Sequence, residues 1–70
     1  MKLIKIKRDN QAALNKPDQF LCIPKEVGRR YFVGYFFQSA EYNDYYTFDE
    51  TGTIVTKNDL SEIYLITPEN

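Results

Sequence analysis

Seventy residues with a formal net charge of −1 leave room for a single domain. A chain this short buries only about 60% of its unfolded surface, which excludes a second domain or, in a monomer, an enclosed active-site cavity. It has no histidine and one cysteine, Cys22, which excludes an internal disulfide, a four-ligand Cys/His zinc site and histidine acid–base catalysis.

The expected elements are short strands broken by turn residues. Lys2 to Lys7 alternates lysine with apolar residues, so Ile4 and Ile6 share one face and Lys5 and Lys7 the other. Asp9 can cap a short helix over Ala12, Ala13 and Leu14, ended by Lys16-Pro17-Asp18, with a structured loop as the alternative. Phe20 to Ile23 reads as a second strand, and Pro24, which cannot donate to a ladder, as its end or an edge position.

Val27-Gly28 turns the chain into Tyr31 to Phe37, the strongest strand signal. Tyr31, Val33, Tyr35 and Phe37 lie on one face of it, Phe32, Gly34 and Phe36 on the other. Both faces are apolar, so either could be the core, and Gly34 is the signal of a bulge. Ser39 to Asp44 is a polar loop. Tyr45 to Phe48 and Thr53 to Lys57 form a hairpin around Asp49-Glu50-Thr51-Gly52, with Gly52 at the position that needs positive φ. Asn58 and Asp59 start one helical turn over Leu60, Ser61 and Glu62, and Ile63 to Ile66 is the last strand. Residues 67–70 read as a frayed tail.

This order predicts a mainly β fold over residues 1–70, a small partly open barrel of five or six short strands with one short helical turn before the last strand. Gly28, Tyr31 to Phe37, Tyr46-Thr47-Phe48-Asp49, Gly52 and Asp59-Leu60 together resemble the SH3-like barrels of the Tudor type over roughly residues 28–66. Some domains of that type hold methylated lysine or arginine in an aromatic cage. Here the resemblance assigns no residue to such a cage.

The charge is unevenly distributed. Residues 1–30 hold eight Lys/Arg and three Asp/Glu, residues 31–70 one Lys and seven Asp/Glu. Ten of the eleven aromatic residues lie in the second segment. The expected function is therefore non-catalytic binding. An aromatic, acid-rimmed surface of Tyr31, Tyr35, Tyr42, Tyr45 and Tyr46 with Asp44, Asp49 and Glu50 would dock onto another protein. Against this stands the ordinary reading of such tyrosines as cross-strand pairs and of such carboxylates as solvated turn residues.

The alternative is single-stranded or duplex nucleic acid bound by Lys2, Lys5, Lys7, Arg8, Arg29 and Arg30. Lysines on an edge strand also serve simply to block unwanted pairing. Glycines are scattered singly, with no phosphate loop, and no serine or cysteine has a histidine base. No enzyme activity, cofactor or metal is expected. Neither a secretory signal nor a membrane span is readable, so the expected location is cytoplasmic, as a monomer or homodimer. The chain starts at Met1 and reads as complete. A lone small binder of this kind suits a regulator or inhibitor of a larger machine, including those encoded by phages or mobile elements.

Overall fold

The computed structural model describes residues 1–7, 9–15, 17–41 and 44–68. Alternating and β-branched segments form seven strands among them: β1 Lys2–Lys5, β2 Phe20–Pro24, β3 Phe32–Gly34, β4 Phe37–Ser39, β5 Asp44–Phe48, β6 Ile54–Thr56 and β7 Leu60–Thr67. Two 3-10 turns, Gln11–Leu14 and Lys57–Asp59, punctuate them. The strands make two antiparallel sheets, ordered β1-β7-β2-β3 and β4-β5-β6. The fold is mainly β, and among the described residues the sheets do not close into a barrel.

The main departure from expectation is in residues 31–37. The expected continuous strand is two strands in different sheets, β3 and β4, joined through Tyr35 and Phe36. Packing explains the break. Phe32 and Phe36 both enter the core, and the Phe36 ring meets Phe20 edge-on at a centroid distance of 5.3 Å. Between them the backbone of Gly34 passes over β5. A Cβ there would stand 2.6 Å from Thr47 Oγ1, so only glycine lets the two sheets approach this closely. The inner face is thus Phe32, Gly34 and Phe36. Tyr31, Val33, Tyr35 and Phe37 lie outside, at 65%, 48%, 48% and 47% exposure.

Leu14, Phe20, Cys22, Phe32, Phe36, Tyr45, Val55, Leu60 and Ile63 form the core, with Ile6 and Leu65 packed against it. Each such large apolar side chain contributes about 1.5–3 kcal/mol on burial. β7 is longer than expected. It starts at Leu60, directly after the second 3-10 turn, and runs to Thr67, which pairs with Lys2. Thr67, expected in the tail, is thus part of the last strand, and Glu69 and Asn70, the end of that expected tail, lie outside the described residues. Pro24 sits at the end of β2 opposite Leu60, where the ladder shifts register, and the next amide, Lys25 N–H, donates to the Asp59 carbonyl at 3.0 Å.

Candidate interaction surface

Period two along β5 sends Tyr45 and Thr47 inward and Asp44, Tyr46 and Phe48 outward. Register brings Phe37 of β4 opposite Tyr46, and Ile54 of β6 opposite Phe48. The outer face of this sheet therefore carries three aromatic rings and an isoleucine. Phe37 and Tyr46 lie 5.7 Å apart between centroids, Phe37 and Phe48 6.0 Å, and Tyr46 and Phe48 5.8 Å. Two of the three pairs are edge-to-face, the arrangement the ring quadrupole favours. The triad holds its own geometry, yet Phe37, Phe48 and Ile54 remain exposed, Ile54 at 60%. No described element covers this face.

Carboxylates stand at both ends of β5, Asp44 and Glu41 at its start and Glu50 in the turn after it. Asp44 pairs with Ser39 in register, and its carboxylate accepts the Tyr45 N–H at 2.8 Å. Glu41 and Glu50 are exposed.

The hairpin between β5 and β6 is held by Asp49. Its Oδ1 accepts the Thr51 N–H at 2.9 Å, the Thr51 hydroxyl at 2.6 Å and the Thr53 N–H at 3.0 Å. Its Oδ2 meets Arg29 Nη2 at 2.8 Å. The Thr51 hydroxyl, the Thr53 amide and then the nearby guanidinium hold the Asp49 carboxyl below the usual carboxylate range. Gly52 closes the turn at φ +83°, the conformation the sequence calls for there.

The sequence-predicted set is thus divided. Asp44 and Tyr46 lie on the aromatic face, and Glu50 lies in the hairpin turn beyond Phe48. Tyr45 is a correction: it is buried in the core, because the face that presents Tyr46 must bury its neighbour. Asp49 is a second correction, since its carboxylate is enclosed by its own turn and by Arg29. Tyr31 precedes β3. Tyr35 borders a shallow hollow with Met1, Pro17 and Ile66, and makes no ring contact with the triad among the described residues. Tyr42 lies outside the described residues.

Sequence reasoning missed Phe37, Phe48 and Ile54. The signal was present for Phe48, which follows Tyr46 at the two-residue spacing of one strand face.

Of the basic set, Arg29 is engaged by Asp49 and by Glu26 at 3.8 Å, and Arg30 is exposed. Lys2 lies on β1, and Arg8 is outside the described residues. Lys5 and Lys7 line an open cleft together with Lys25 and Lys57.

Among the described residues no group of three or more His, Cys, Asp or Glu could hold a metal ion. Among the described residues no helix is long and apolar enough to cross a membrane. No family model, curated protein or solved structure matches the chain.

Proposed function

We propose that this protein is a non-catalytic binding module that docks the outer face of β4-β5-β6 onto another protein. The observation that carries the reading is the exposed Phe37–Tyr46–Phe48 triad with Ile54 beside it. A contiguous apolar patch on a small domain is a mark of an interaction site, and aromatic residues are enriched at the centres of interfaces. With Glu41, Asp44 and Glu50 near its margins, the face suits a partner with an apolar centre and a basic rim. We read the module as a small regulator or inhibitor of a larger assembly, in a reducing compartment that suits the free thiol of Cys22. The hairpin followed by a 3-10 turn and a closing strand supports its assignment as an open variant of the SH3-like barrels.

The test is affinity capture from host lysate with the parent chain and with Phe48→Thr, each with and without nuclease. Circular dichroism checks that the variant folds. A protein retained in stoichiometric amount through nuclease treatment and lost with Phe48→Thr supports the docking face. A catch that the substitution leaves unchanged, or that disappears with nuclease, sinks it.

A further inference from the structure

The segment after β1, the first 3-10 turn, the second 3-10 turn and the start of β7 surround an open cleft of about 550 Å³. That volume falls within the range of small-ligand sites, roughly 300–1,000 Å³. Among the described residues, Lys5, Lys7, Lys25 and Lys57 line it, against a single carboxylate, Glu62. The carboxylate is already committed: it accepts the Tyr64 hydroxyl and lies 3.4 Å from Lys5 Nζ.

Lys7, Lys25 and Lys57 form no ion pair among the described residues. Asp59, the acid that acts on Lys25 from a distance, is occupied by the Thr56 N–H at 3.0 Å and the Thr56 hydroxyl at 2.9 Å. These lysines come from three separate stretches of chain, and the fold places all three on the lining of one cleft. A cleft lined by one sign of charge favours an ion of the other.

The floor of the cleft is apolar: Ile6, partly exposed, with the core residues Leu14, Leu60 and Ile63 packed behind it. Asn10, Gln11 and Asn58 add amide donors and acceptors along the walls. Unpaired cations above an apolar floor suit a ligand with a charged end and a flat or apolar body. A solvated lysine face needs no such floor.

We propose that this cleft binds an organic phosphate of the nucleotide class, its phosphate oxygens among Lys7, Lys25 and Lys57 and its base on the floor of Ile6, Leu14, Leu60 and Ile63. The site shares no residue with the aromatic face, and the proposal does not depend on protein docking.

The test is amide-resolved NMR titration of the full chain with inorganic pyrophosphate, with ATP and with a short oligothymidylate. ATP or the oligonucleotide is expected to give saturable shifts at residues 5–7, 25 and 57–63. Its affinity should be about tenfold or more above that of pyrophosphate, a difference of ~1.4 kcal/mol. Lys7→Glu with Lys57→Glu should weaken binding by at least about tenfold, while Lys57→Arg should keep it. Tighter binding of ATP identifies a free nucleotide as the source, and tighter binding of the oligonucleotide identifies a strand. Either result supports the site.

Three results overturn it: no saturable shift with ATP or the oligonucleotide, shifts outside the cleft, or pyrophosphate binding as tightly as both. If the double glutamate variant loses its dispersed spectrum, Lys7→Gln with Lys57→Gln takes its place. Undiminished binding by a folded double variant also overturns the proposal.

Discussion

Gly34 lies against Thr47 at the point where the two sheets cross: a Cβ added to Gly34 would stand 2.6 Å from the Thr47 hydroxyl oxygen and 3.3 Å from the Phe48 carbonyl oxygen. The contact joins β3 to β5, which belong to different sheets. Gly34→Ala is therefore expected to destabilise the fold by about 1–3 kcal/mol, the usual cost of overpacking. Urea unfolding measures this. In a Thr47→Ala background the same glycine change should cost less, because the closest contact is gone. An equal cost in both backgrounds would place the strain in the backbone instead.

The other side of that contact makes the opposite expectation. Thr47 is fully buried, and its hydroxyl finds no hydrogen-bond partner among the described residues. A buried unsatisfied polar group costs about 1–3 kcal/mol. Thr47→Val removes the hydroxyl and keeps the branched shape, so the midpoint of urea unfolding should rise by the equivalent of about 1 kcal/mol. A lower midpoint would mean that the added methyl volume against Gly34 outweighs the relief.

Acid should weaken the fold through three carboxylates. Asp49 is held below its ordinary range first by the Thr51 hydroxyl, Asp59 first by the Thr56 amide, and Glu62 first by the Tyr64 hydroxyl. A carboxyl with a depressed folded pKa stabilises the protein above its unfolded pKa, and that stabilisation is lost as pH falls through the folded value. The melting temperature should stay level from neutrality to about pH 5 and then decline toward about pH 2. Asp49→Asn should lower it at pH 7 and make the acid decline shallower. Parallel profiles for the two proteins would remove Asp49 from the account.

Cys22 offers a probe of opening. It is wholly buried between Phe20 and Ile23 on β2, and burial pushes its thiol up to about 12. The thiolate is the reactive form, so alkylation at pH 8 should be slow in the native protein and fast in urea. The native rate then reports how often β2 is exposed, and thiol labelling followed by mass spectrometry measures it. Rapid labelling without denaturant would show that β2 opens readily.

Most of the fold could be read along the chain, because strand patterning is local. Lysine alternation placed β1, the apolar run placed β2, and the Asp49–Gly52 turn placed the β5–β6 hairpin. The splitting of residues 31–37 could not be read that way. It depends on Gly34 meeting Thr47, thirteen residues further on in sequence. The same limit applies to the surfaces. Tyr45 and Tyr46 look alike as neighbours, and only the pairing of Thr47 and Val55 on the inner side decides which of them is core. Lys25 and Lys57 carry no shared signal at all, being brought together by the junction between Pro24 and Leu60.

β7 is both the last strand in sequence and an inner strand of its sheet, hydrogen-bonded to β1 on one side and β2 on the other. A nascent chain emerging from the ribosome would hold β1 and β2 with nothing between them until residue 67 had cleared the exit. β2 and β3 can pair before then, but β1 joins the larger sheet only through β7, a pairing of strands far apart along the chain, and such non-local pairing is slow. Truncating β7 should remove the seam on which the other two strands depend, rather than merely trim an end.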